Sequence, residues 1–196
     1  MDLAIKRSEL KAHIAHVAAQ LFYEEGIHAV GVDRIADKAQ ITKRTLYHHY
    51  PSKDQLIAAA LRVAPLVEFP REGAPIERII GAFEMLGEFL TSSKYRGCPY
   101  IIFTAELIER GHPARQIIER RIEKRRAWFY EMAEGAGAAD PALLSEQLDV
   151  LFDGAMASGT KRGDLAPAKA ALSAVKTLVN LATSTKDRLF PDLSKS

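Results

Sequence analysis

Apolar residues recur three and four positions apart along almost the whole 196-residue chain, and no run alternates apolar and polar residues between turn signals. Such spacing puts apolar side chains on one stripe of a 3.6-residue repeat and fits no strand, so the chain is expected to be all-α, with about nine helices. Punctuation divides the pattern. A first helix carries Leu10, Ile14, Val17, Ala18, Leu21 and Phe22 and stops at Gly26. Two short ones follow over Val32 to Ala39 and Lys43 to His49, the second opened by Thr42 and closed by Pro51, and a fourth runs from Lys53 to about Ala64 behind Ser52. Pro65, Pro70, Gly73 and Pro75 then break the pattern. Five longer helices are expected over Ile76 to Ser92, Pro99 to Arg110, Pro113 to Glu134, Pro141 to Ser158 and Pro167 to Thr185. Proline suits a first helical turn, whose N–H groups have no intrahelical partner. The ends, Met1 to Arg7 and Asp187 to Ser196, are expected to fray.

Charge narrows the function. The formal net charge is +2, which favours no partner, but residues 34–53 hold Arg34, Lys38, Lys43, Arg44 and Lys53 against Asp37 alone. A local excess of this kind is most often a solvated face, and becomes a nucleic-acid signal only in the right local fold. The longest stretch without a charged residue, Ala12 to Tyr23, is far short of the roughly 20 apolar residues of a membrane span. The charged start MDLAIKRSELKAH does not read as a secretory signal, so a cytoplasmic location is expected. Cys98 is the only cysteine, which excludes an intramolecular disulfide and a Cys-cluster zinc site. His13 with His16, and His48 with His49, lack the carboxylate or thiolate partners of a metal site, and no metal or cofactor is expected. A Gly-rich phosphate loop, a Gly-x-Ser-x-Gly elbow and a His-Glu-x-x-His motif are all missing, and the chain is not expected to be an enzyme.

The stretch VDRIADKAQITKRTLYHHYPSKDQL, Val32 to Leu56, gives the charge its context. A short helix with small Ala36 and Ala39, a tight turn at Gln40 and Ile41, and a second short helix make a helix-turn-helix, with Ile35, Ile41 and Leu46 as its small core. The second helix then turns Lys43, Arg44, Thr45, Tyr47, His48 and His49 outward, side chains of the kind that reach phosphates and base edges in a major groove.

This segment resembles the DNA-binding domain of the TetR/AcrR family of transcriptional regulators, through Thr45, Leu46, Tyr47, Tyr50 and Lys53, preceded by Ile35-Ala36 and Ile41-Thr42-Lys43. The motif spans about a quarter of the chain, and the remainder matches only in length and helix order. Two positions depart from the family pattern: Gln40 and Arg44 stand where glycine is common. The resemblance implies a helix-turn-helix domain over residues 1–53, a connecting helix and linker over 54–75, and a helical effector-binding and dimerisation domain over 76–196. It assigns Tyr47 and Lys53 to phosphates. Lys43, Arg44, Thr45 and His48 are the candidates for base edges, Arg44 foremost, with Thr42 at the turn and Arg34, Lys6 and Arg7 on the flanks.

For the C-terminal domain the resemblance implies two further sites. One is an effector cavity, for which Phe89, Phe103, Trp128, Phe129 and Met132 are the candidates, with Glu106, Arg121 or Arg125 as polar anchors. The other is a homodimer seam on the last two helices, where Leu148, Phe152, Ala155, Ala171, Val175, Leu178, Val179 and Ala182 form the apolar stripe. The expected protein is a homodimeric regulator, a repressor released from a palindromic double-stranded DNA operator by a small apolar or aromatic ligand. The rival readings are a DNA-binding structural protein of the same fold that answers to no ligand, and a helical interaction protein or enzyme using the C-terminal cavity.

Overall fold

A computed structural model describes residues 2–91, 97–107, 111–162 and 164–184. Among these, nine α-helices and no strands occur: α1 (Asp2–Glu25), α2 (Val32–Lys38), α3 (Lys43–His49), α4 (Lys53–Val63), α5 (Pro75–Thr91), α6 (Pro99–Glu106), α7 (Pro113–Gly135), α8 (Pro141–Arg162) and α9 (Ala166–Ser184). Helix α1 starts at Asp2, so residues 2–7 are helical rather than frayed, whereas the expected loose end at 187–196 and residues 108–110 of the sixth helix lie outside the described residues. Helix α8 runs on past Ser158 to Arg162.

The helices gather into two compact units, each discontinuous along the chain: residues 1–66 with 98–121, and residues 67–97 with 122–196. In the first, α1 packs on α4 and α2, and α2 on α3. Its core holds Ile14, Ala18, Phe22, Ile35, Leu46 and Leu56, all at or near full burial. The stripe read for the first helix supplies most of α1's share. Helix α6 belongs to this unit too. The Phe103 ring meets Phe22 edge-on at 6.5 Å, and the Tyr100 hydroxyl donates to the Leu61 carbonyl at 3.4 Å. At the start of α7, His112 accepts the Ala114 N–H on Nδ1 at 3.0 Å and turns Nε2 to Asp54 of α4, 3.4 Å away.

In the second unit α8 packs on α9, and α5 on both. Ile79, Phe83 and Leu86 of α5, Leu148 and Phe152 of α8, and Val175 and Val179 of α9 are buried together with Phe129 of α7. Gly159 marks a close approach, since a Cβ there would lie 2.9 Å from the Leu90 side chain.

Candidate DNA-binding surface and effector region

The helix-turn-helix is closed by backbone geometry. Helix α2 ends in a Schellman motif: the Ile41 N–H donates to the Ala36 carbonyl at 3.0 Å and the Gln40 N–H to the Asp37 carbonyl at 3.1 Å. Such an end needs a left-handed residue, and Gln40 occupies it at φ +56°, the one described residue other than glycine with positive φ. The same motif ends α7, where Gly137 takes the position at φ +74°. Thr42 caps α3, accepting the Thr45 N–H at 3.1 Å, with the two threonine hydroxyls 2.8 Å apart. Ser52 caps α4 through the Gln55 N–H at 3.2 Å. Both caps sit where the sequence puts them, and together they fix α3 between two rigid turns.

Helix α3 buries Leu46 and presents Lys43, Arg44, Tyr47 and His48 to solvent, with Thr45 half-buried. Tyr50 anchors its far end to α1, donating its hydroxyl to the Lys11 carbonyl at 2.9 Å beneath the Lys11 ammonium, 5.4 Å from the ring centre. Lys53 begins α4, its ammonium 5.9 Å from the Phe22 ring centre, so its stem lies on the core while the head stays at the positive end of the helix. The Arg7 guanidinium reaches His48 Nε2 at 3.1 Å, bringing the start of α1 to the recognition helix. Lys11 completes, beside the half-buried His49, a cationic face that the motif alone does not reveal. The signal was there in the four-residue spacing of Arg7 and Lys11 on a helix. Burial, then the charges of His48, Arg7 and Lys11, hold His49 below the ordinary histidine pKa.

The candidate cations differ in what holds them. Arg34 grips Glu25 through two nitrogens at 2.6 and 3.2 Å, and Lys43 pairs with Asp33 at 2.9 Å. Each partner carboxylate raises the pKa of its cation, first by hydrogen bonding and then by charge. Both pairs are exposed, so either can be exchanged for a phosphate at little cost. Arg44 is exposed on α3 and Lys53 half-buried at the head of α4.

The residues expected around an effector fall into different units. Phe103 and Glu106 belong with the helix-turn-helix. The Glu106 carboxylate accepts the Ile27 N–H at 2.6 Å, and its carbonyl lies 2.9 Å from His28 Nε2, on the turn between α1 and α2. In the other unit Trp128 and Phe129 join Phe83, Phe152 and Phe69 in one aromatic cluster, with neighbouring ring centres 4.5 to 6.1 Å apart. Met132 is buried, and Phe89 half-buried, in that same unit. Phe152, read from the sequence as part of a dimer seam, is thus a core ring, and Phe69 was hidden among the prolines of the linker. Arg125 is bound by Asp149 at 2.6 Å and by Asp153 through two bonds of 2.8 Å. Burial pushes the Arg125 pKa down, but the bonds from Asp153 and Asp149 outweigh it and hold it above the ordinary value.

Of the residues expected at the dimer seam, Leu148, Phe152, Ala155, Ala171, Val175 and Val179 are buried within one chain, and Leu178 and Ala182 half-buried. The adjoining face of α8 and α9, to which Leu178 of that set contributes, is open. It carries a groove of about 570 Å³ lined by Leu143, Gln147, Val150, Leu151, Ala174 and Leu178 among others, and Leu143, Val150 and Leu181 are 55%, 63% and 62% exposed. Among the described residues no helix is long and apolar enough to cross a membrane, and no cluster of three potential metal ligands occurs.

A capped recognition helix on a three-helix base, bearing cations and a phenol, defines a helix-turn-helix DNA-binding regulator. Residues 14–60 match the family model of bacterial regulatory proteins of the tetR family. A solved structure from Streptomyces avermitilis described as a tetr-transcriptional regulator is 30% identical, covers 88% of this chain and 97% of its own, and superposes with a TM-score of 0.76. The chain belongs to the TetR family. It is also 30% identical over 141 residues to the HTH-type transcriptional repressor KstR2 of Mycolicibacterium smegmatis, covering 67% of this chain and 65% of that one. Over 58 residues it is 38% identical to the HTH-type transcriptional activator FasR of the same organism, a match spanning 30% of this chain and 26% of FasR's length. The relatives bearing these names are transcriptional regulators, and the chain is a DNA-binding regulator of their kind.

Proposed function

We propose that this regulator is a homodimeric repressor that holds a palindromic operator in the cytoplasm and releases it on binding a small apolar or aromatic effector. The observation that carries the DNA half is α3 capped by Thr42, with Arg44 and Tyr47 exposed on it and Lys53 at the head of the next helix, which Ser52 caps. Tyr47 and Lys53 hold phosphates, and Arg44, Lys43, Thr45 and His48 read base edges, as the family motif implies.

A single helix-turn-helix of this size gains little affinity above non-specific binding, so two half-sites must be read together. The open apolar face of α8 and α9 supports self-association. Exposed leucine and valine side chains along a groove are the kind of surface that a second copy of the same two helices covers. The aromatic cluster around Trp128 and Phe129 supports an aromatic effector, which acts by favouring one of two forms that differ in affinity for DNA.

The test is fluorescence anisotropy on labelled DNA from upstream of the protein's own reading frame, with Tyr47→Ala and Lys53→Ala beside the wild type. Both variants are expected to bind at least about tenfold more weakly, the loss of one charge-assisted phosphate contact per protomer. Sedimentation should show them to be dimers still. Wild-type affinity in both variants would refute the assignment.

A further inference from the structure

The aromatic cluster of the second unit contains a ring unlike the rest. Phe83, Phe129 and Phe152 ride on helices and are almost fully buried, whereas Phe69 belongs to residues 65–71, which have no regular structure, and is half-buried. Its ring lies 4.5 Å from Trp128, tilted by 37°, and 5.6 Å from both Phe129 and Phe152, edge-on to the latter. Trp128, the only tryptophan, is the other half-buried member, so the pair marks the side on which the cluster opens. Helix-borne rings thus form a slot, and a ring on a coil segment fills it.

Phe69 is held by its segment's side chains and not by helical backbone bonds. Among the described residues the segment meets α5 through a bond from Arg78 Nε to the Pro70 carbonyl at 3.1 Å and through the Pro70 ring packed at Gly81, and the Arg78 guanidinium lies 5.6 Å from the Trp128 ring centre. Withdrawing the ring breaks no helical hydrogen bond, and another flat ring would recover the same tilted and edge-on contacts. The charges beside the slot select further. Arg125 lies 5.2 Å from the Phe152 ring centre, but its guanidinium is already spent on Asp149 and Asp153, two carboxylates against one cation. Arg78, beside Trp128, evens the count to two cations and two carboxylates, so no net charge remains there to offset that of a ligand.

We infer that Phe69 is a built-in occupant of a ring-binding slot on Trp128, Phe129 and Phe152, and that the ligand taking its place is an uncharged planar aromatic molecule. The inference rests on the reading of this protein as an effector-controlled regulator, and names the chemical class of the effector and the residue it displaces.

The probe is N-phenyl-1-naphthylamine, uncharged and fluorescent in apolar surroundings, titrated into full-length wild type, Phe69→Ala and Phe69→Leu, each checked for helix content by circular dichroism. Both variants are expected to bind it about tenfold or more tightly, because a site open in a tenth or less of wild-type molecules becomes permanently open. The leucine variant keeps an apolar side chain on the segment and guards against loss of folding. Equal affinity in all three proteins would overturn the inference, since the probe would then be bound where Phe69 has no part. Anisotropy of the DNA complex at saturating probe separates the two claims: tighter binding by the variants without DNA release keeps the slot and refutes effector control.

Discussion

Gln40 holds a left-handed conformation at the joint between α2 and α3 of the helix-turn-helix, at a point where the family commonly has glycine. A side chain there costs about 1–2 kcal/mol relative to the right-handed form. Part of that returns when glycine replaces it, because glycine also loosens the unfolded chain. Gln40→Gly is therefore expected to raise the unfolding free energy by roughly 0.5–1 kcal/mol and Gln40→Val to lower it, both measurable by urea denaturation. His49 gives a prediction in pH. Its folded-state pKa lies below the ordinary value of 6.5, so the unfolded chain takes up the proton first as pH falls. Stability is then fully present above pH 6.5 and declines as pH drops from there toward the folded pKa. His49→Gln should flatten that part of the melting-temperature profile, and an unchanged profile would contradict the account. Gln40 was visible in the sequence as a departure from pattern. The environment of His49 was not, because Arg7 and Lys11 reach it only through the packing of α1.

Among elements, the helix-turn-helix was almost wholly legible: α3 runs from Lys43 to His49 behind its cap Thr42, and α4 follows behind its cap Ser52, both expected from residue type alone. Local chemistry suffices where short helices are each opened by a capping residue. Across long amphipathic helices it does not. The stripe on α8 and α9 told which residues are apolar, but burial inside one chain and burial against a second copy demand the same pattern, and the structure buries Leu148, Phe152 and Val175 within the chain. Ion pairs show the same limit. Arg125 and Asp149 are 14% and 11% exposed, and removing one partner strands the other in a poor solvent, so Arg125→Ala is expected to cost about 3–5 kcal/mol in chemical denaturation. The Arg34–Glu25 pair is exposed, and Glu25→Ala should leave the denaturation midpoint almost unchanged. On α3, Arg44→Ala should lose about 1–3 kcal/mol and relax base preference at one position of each half-site, whereas Lys53→Ala weakens binding to all sequences alike.

For the whole molecule, one recognition helix per chain and one open apolar face make symmetry the main expectation. Residues 34–53 hold the excess of positive charge, and a second copy doubles it while the rest of the chain stays near balance. Placing charge on the open face, as in Val150→Glu with Leu181→Glu, is expected to give monomers in sedimentation and to lower DNA affinity by an order of magnitude or more, since half-sites are then read singly. The central claim, that α3 reads a specific two-fold symmetric site, is tested most directly by selecting duplexes from a random pool with the purified protein and sequencing those retained at about 150 mM salt, where non-specific phosphate binding is weak. The account predicts an inverted repeat with half-site centres about one helical turn or a multiple apart, and its loss when Arg44 and Tyr47 are both replaced by alanine. A pool without an enriched motif, or an enriched motif without two-fold symmetry, would contradict it.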